Sequence, residues 1–325
     1  MATLAFLTIE HLSVTITTTA VVFAQPGQLS LEQLELTPPG PGDVVVEIDW
    51  SGISTGTERL LWTGRMPSFP GMGYPLVPGY ESVGRVTAAG AQSGRHEGET
   101  VFVPGASCYT SVRGLFGGAA ARVVVPGARV VPIAAGMAER GVLLALAATA
   151  CHAVAAQAPQ LIVGHGVLGR LVARLSVLKG SEPPVVWETN AERVHGAEGY
   201  TVVHPDADPR HDYGAICDVS GDSTLLDRLI ARLAPQGEIV LAGFYHEPLS
   251  FAFPPAFKRE PRIRVAAEFK EPDLREAKGL AESGALSLDG LITHRHPARE
   301  AAAAYGTAFG DPSCLKMILD WRPDA

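Results

Sequence analysis

The 325-residue chain has only four cysteines, Cys108, Cys151, Cys217 and Cys314, and no C-x-x-C pair among them. Such scatter excludes a zinc ribbon and a disulfide scaffold, and it leaves reduced, buried thiols. No run of 18 apolar residues occurs, so no spanning helix and no integral membrane contact are expected. Blocks of Lys and Arg are missing too, and the net charge is −8, which argues against nucleic acid and against an anionic membrane surface. Residues 1–19 hold Glu10 and His11 but no Lys or Arg, so they lack the basic start of a secretory signal. They read as a poorly structured extension, with the folded part beginning near Ala20, and a cytoplasmic protein is the expectation.

What is present is a chain of ordinary globular composition, 46% hydrophobic and 18% charged, long enough for two domains. Residues 20–135 are rich in Gly, Pro and β-branched residues. Short strands are expected at 44–48, 81–86, 100–103 and 122–125, separated by turn signals, as in an irregular β-barrel. The pattern changes near residue 140. After an Ala- and Leu-rich helix at 141–157, strands at 161–163, 184–188, 200–203, 215–219, 238–242 and 262–267 alternate with helical segments. Six apolar strands with helical crossovers make an α/β, doubly wound parallel sheet, here expected over 156–272.

Gly164-His165-Gly166-Val167-Leu168-Gly169 follows the strand at 161–163 and opens a helix. That is the context a dinucleotide fingerprint needs. Gly164 permits the tight turn, Gly166 lets backbone approach a pyrophosphate, and Gly169 lets helix and strand pack closely. Glu188 ends the next strand, 19 residues on, where a carboxylate accepts ribose hydroxyls and repels a 2′-phosphate. This favours NAD over NADP; the bland reading is a loop cap. Arg193 either lies near the adenosine or is a solvated loop charge. Ser220, Gly243 and Phe244 follow the fourth and fifth strands, where they line the nicotinamide side or are ordinary loop residues.

A β-rich half, a nucleotide-binding half and a return segment at 291–294 resemble the order of the medium-chain alcohol dehydrogenases. Residues 51–58 resemble their first active-site loop and residues 78–86 their second. The resemblance implies a GroES-like substrate domain from 20–155 and 273–325. Stretches at 51–64, 66–75, 112–119, 161–170 and 286–294 are similar to a narrower, zinc-free branch, the dehydrogenases of bacteriochlorophyll biosynthesis. That likeness implies NAD-dependent oxidation of a 3-(1-hydroxyethyl) group on a chlorophyllide-type tetrapyrrole to acetyl. A homodimer is implied by analogy with relatives. Zinc members carry Cys and His at those loops; here Ser54 or Thr55 and Tyr80 stand in their places, and no metal is expected.

Without metal, side chains must handle the alcohol proton. Tyr80 either holds the substrate oxygen or fills the vacated space. Thr57 sits at the position of a proton-relay hydroxyl, sharing its loop with Thr55 and Glu58. His152 has a suitable imidazole, though a lone His on an Ala-rich helix is more often a core residue. Trp62, Met66, Phe69, Met72 and Tyr74 cluster in one Gly/Pro-rich loop. With Phe116 they offer walls for a flat apolar ligand, or they belong to the core. Arg59, Arg65 or Arg113 can pair with a propionate. The competing readings are a zinc-free quinone or enoyl reductase, and a non-catalytic NAD-binding pigment carrier.

Overall fold

The computed structural model describes residues 15–323. The first half runs β1 (Thr17–Gln25), β2 (Gln28–Glu35), β3 (Asp43–Ile53), α1 (Thr57–Thr63), β4 (Leu76–Val77), β5 (Ser82–Ala89), β6 (Thr100–Val103), β7 (Arg113–Gly114), β8 (Arg122–Pro126) and β9 (Val131–Pro132). The second half runs α2 (Leu144–Ala153), β10 (Leu161–Val163), α3 (Val167–Leu178), β11 (Val185–Trp187), β12 (Thr201–Val203), β13 (Tyr213–Asp218), α4 (Leu226–Arg232), β14 (Leu233–Leu241), α5 (Phe253–Arg259) and β15 (Arg262–Val265). The chain then returns through α6 (Glu271–Glu282), β16 (His294–Pro297), α7 (Ala301–Gly310) and β17 (Met317–Asp320).

The β-rich half is two sheets around one core, ordered β2-β1-β4-β7 and β16-β17-β3-β5-β6-β9, with β8 also on β3. The expected barrel does not close, because the larger sheet ends on β16 and β9, which are not paired to one another. β3 pairs with β5, β8 and β17, so Val44, Val46 and Ile48 are buried among neighbours. Each such side chain contributes roughly 1.5–3 kcal/mol relative to its exposed state. Thr17, Thr18 and Thr19 belong to β1, paired with Glu35, Leu34 and Gln33, which corrects the expected extension at its C-terminal end. Their β-branched side chains suit a strand, and the buried Thr18 hydroxyl accepts the Arg122 N–H at 2.8 Å. Residues 1–14 of that stretch lie outside the described residues.

All six expected strands of the second half form a parallel sheet in the order β12-β11-β10-β13-β14-β15. The order reverses between β10 and β13, so their carboxyl ends open a crevice at the centre of the sheet. One face is covered by α2, α3 and α6 and the other by α4. Among the described residues no helix is long and apolar enough to cross a membrane.

Candidate active site

The crevice continues into a cleft of about 1310 Å³ lined by both halves. That volume exceeds the several hundred Å³ usual for one small ligand and suits two guests side by side.

At one end lies the glycine loop. Gly164 has φ +102°, a left-handed value open to glycine, and a Cβ on Gly169 would stand 1.9 Å from the Gly164 carbonyl oxygen. A Cβ on Gly166 would meet nothing within 4 Å, so open space lies over that residue. No side chain caps α3 at Gly166, and Gly166, Val167 and Leu168 line the cleft. The first N–H groups of a 12-residue helix are thus free for an anion, with the positive end of its dipole behind them. Glu188 borders the same space. Its Oε2 accepts the His165 N–H at 3.0 Å, and its Oε1 accepts those of Thr189 and Asn190, both at 2.8 Å. The carboxylate is therefore held in place by the loop it would serve. Ser220, Gly243 and Phe244 also line the cleft. Arg193 does too, but its guanidinium is committed to the carbonyls of Pro312 (2.8 Å) and Cys314 (3.4 Å) in the returning chain. These residues fit a nicotinamide dinucleotide: free helix-terminal N–H groups, an approach left open by Gly166, and a fixed carboxylate.

Two buried groups that the sequence hid support this loop. His165 is fully buried. Its Nδ1 donates to the Arg193 carbonyl at 2.6 Å, which leaves Nε2 to accept the Tyr200 hydroxyl at 2.8 Å. Burial lowers its pKa to about 4. Arg170 donates to the carbonyls of His165, Arg193, His195 and Gly196. It pins the 193–196 segment against α3. Its only trace in the sequence is a charge on the apolar face of a helix.

At the other end Tyr80 Oη meets Ser54 Oγ at 2.7 Å and Thr57 Oγ1 at 3.5 Å, with Thr55 beside them on the cleft wall. Burial pushes the phenol well above its ordinary range, aided by the nearby Glu81 charge. Phe116 stands edge-on to Tyr80, ring centroids 5.4 Å apart. Glu58 does not line the cleft. It is buried beneath the loop, accepting the Ser54 N–H at 3.0 Å and the Tyr305 hydroxyl at 2.5 Å, and desolvation raises it to about 7. Glu81 is also buried and paired with Lys316 at 2.6 Å, whose Nζ donates to the Ile53 carbonyl at 3.2 Å as well. Among the described residues no three His, Cys, Asp or Glu side chains come together as a metal-binding group.

Several expectations are corrected. His152 does not line the cleft; its Nδ1 faces Asp273 at 2.9 Å, where α2 packs on α6. Of the six residues expected as substrate walls, only Phe116 lines the cleft. Trp62 packs edge-on against Phe23 at 5.6 Å and Met66 is buried. Met72 packs on the same core, and the Tyr74 hydroxyl donates to the Leu61 carbonyl. Phe69 is partly exposed but outside the cleft. The cause is local: residues 57–63 form a helix, ended by Gly64 in a left-handed conformation, and the loop after it folds back onto the β core. Arg65 and Arg113 lie off the cleft, whereas Arg59 lines it, together with Arg129, which sequence reasoning missed.

A β-rich half joined to a dinucleotide-type sheet, with the site between them, defines an alcohol dehydrogenase of the medium-chain class. Residues 40–135 match the alcohol dehydrogenase GroES-like domain. The NADH complex of an alcohol dehydrogenase from E. coli CFT073 superposes with a TM-score of 0.79 at 22% identity, over 94% of this chain and 99% of that one. The chain belongs to the family of the 2-desacetyl-2-hydroxyethyl bacteriochlorophyllide A dehydrogenases. It is 57% identical over 316 residues to the protein of that name from Cereibacter sphaeroides, spanning 95% of this chain and 99% of the relative. It is 58% identical over 309 residues to that of Rhodobacter capsulatus, spanning 94% and 98%. The narrower resemblance seen in the sequence is borne out.

Proposed function

We propose that the protein oxidises the hydroxyethyl side chain of a bacteriochlorophyllide-type pigment to acetyl in the cytoplasm, using NAD+ and no metal ion. The observation that carries this is one cleft that joins the glycine loop and Glu188 to the Tyr80–Ser54–Thr57 hydroxyl cluster. A nicotinamide dinucleotide bound there supplies the hydride acceptor. Gly166, Val167 and Leu168 would present N–H groups to its pyrophosphate, and Glu188 would hold the ribose hydroxyls. The fixed Glu188 charge disfavours a 2′-phosphate. The arginines beside it offer no rescue, because Arg193 is bound to carbonyls and Arg228 to Asp206.

Tyr80 stays a neutral phenol, so it acts as a hydrogen-bond donor and relay rather than as a standing base. It positions the alcohol oxygen. As the hydride leaves carbon, the alcohol proton passes to Tyr80 while the Tyr80 proton moves to the Ser54 or Thr57 hydroxyl, which releases its own proton to water in the open cleft. The imidazoles of His152 and His165 are both engaged elsewhere.

Chain pairing along β15 is part of the same reading. This strand is an outer sheet edge with Val265 71% exposed, and on the preceding helix α5 Phe253 and Phe257 are 67% and 68% exposed. An edge with such an apolar patch pairs readily with a second copy.

The test is absorbance. Purified protein is mixed with 3-(1-hydroxyethyl) bacteriochlorophyllide a and either NAD+ or NADP+. The expected outcome is a red shift of the long-wavelength pigment band with one NADH per pigment, much faster with NAD+. Glu188→Ala should lower kcat/KM for NAD+ roughly tenfold and narrow the preference over NADP+. Pigment unchanged with either nucleotide would remove the dehydrogenase reading.

A further inference from the structure

Two arginines line the substrate side of the cleft with nothing to neutralise them. Arg59 stands on α1, two residues beyond Thr57. Arg129 stands between β8 and β9, and the antiparallel pairing of β9 with β6 carries it toward Pro104, another residue of the wall. Tyr80 and Phe116 line the same space. Among the described residues neither guanidinium has a salt-bridge or side-chain hydrogen-bond partner. The other arginines of the cleft, Arg193 and Arg228, are both bound. Its acidic residues, Glu188, Asp222, Glu268 and Asp311, all come from loops of the dinucleotide sheet or from the turn after α7. None comes from the loops around Tyr80. In a chain of net charge −8, a substrate wall with two free cations and no acid is built for an anionic guest.

Building on the proposed function, we propose that Arg129 and Arg59 hold the free propionate carboxylate of the pigment, so that the site selects the unesterified macrocycle over its esters. A chlorophyllide carries this carboxylate on a different pyrrole ring from the hydroxyethyl group. A flat apolar disc can rotate in its own plane, and one polar anchor at Tyr80 does not stop it. A second anchor at the carboxylate fixes the rotation and delivers the hydroxyethyl carbon to one place. The planar fork of a guanidinium matches a carboxylate, and the macrocycle itself would exclude water from the pair.

The test compares 3-(1-hydroxyethyl) bacteriochlorophyllide a as free acid with its methyl ester. Equilibrium binding is read from pigment fluorescence, and NAD+-dependent oxidation is followed alongside. The free acid is expected to bind roughly tenfold or more tightly than the ester. Arg129→Gln and Arg59→Gln should each shrink the acid-to-ester ratio, the double variant should bring it near one, and Arg129→Lys should keep much of it. Equal binding of acid and ester by the natural protein overturns the proposal, as does a ratio unchanged in the double variant. A loss of NAD+ affinity with the ratio intact would assign the cations to the cofactor and overturn it too. Preference for the acid without oxidation keeps the carboxylate subsite and removes the dehydrogenase reading; oxidation of both pigments at equal affinity does the reverse.

Discussion

Tyr80 keeps its proton because burial and the nearby Glu81 charge disfavour a phenolate more than the Ser54 and Thr57 hydroxyls favour one. Tyr80→Phe retains the ring packed on Phe116 and removes only the hydroxyl bonded to Ser54. We expect kcat to fall on the order of a hundredfold with KM little changed, measured by steady-state kinetics. Full turnover would exclude the phenol. Two other buried groups set opposite pH dependences of stability. Glu58 is raised from 4.5 to about 7 by desolvation, so between those values only the unfolded chain gives up the proton, and the folded state loses stability as pH rises. The loss is complete above that window, at about 3 kcal/mol. His165 is lowered from 6.5 to about 4 by desolvation, so in that window only the unfolded chain takes up a proton, and stability falls as pH falls. Thermal unfolding should show Glu58→Gln gaining on the natural protein steadily from pH 4.5 to 7. A difference that stays flat with pH would contradict the assignment.

The glycine loop separates two jobs that one motif performs. Gly169→Ala forces a Cβ to within 1.9 Å of the Gly164 carbonyl, so strand and helix must part; unfolding should occur several degrees lower. Gly166→Ala meets no atom within 4 Å in the protein alone. Its melting temperature should hold while NAD+ affinity, measured by calorimetry, falls at least tenfold. Equal melting losses in both variants would refute the division. This element was readable in the sequence because the spacing of glycines, strand and acid is local. So were the parallel strands, which are short apolar runs between turn signals. What was not readable depends on contacts distant in sequence. Helix α1 looked like loop because its seven residues are too few for a periodic pattern. Trp62 and Tyr74 were assigned to a ligand because nothing near them announces Phe23 or the Leu61 carbonyl. Arg129 and Lys316 reach the cleft only through sheet register.

At the scale of the molecule, the dinucleotide sheet has one edge on β12 and the other on β15. Pairing of two β15 edges would continue the sheet across a twofold axis and cover the Phe253–Phe257 patch. Light scattering should give twice the chain mass for the natural protein and a single chain mass for Phe257→Glu with Val265→Glu. A natural protein of single-chain mass would sink this pairing.

The two sheets also differ in when they can be assembled. Each strand of the parallel sheet finds its partner within a short stretch of chain. The larger β sheet cannot be completed until its last strand is made: Trp321, just past β17, binds Ser51 of β3 across 270 residues. During synthesis from the N-terminus, β8 can pair with Asp43–Glu47 of β3 early, but Trp50–Ile53 of the same strand wait for β17. The nucleotide-binding half can be in place before then, while the sheet beside Ser54 and Tyr80 is completed only once β17 has been made.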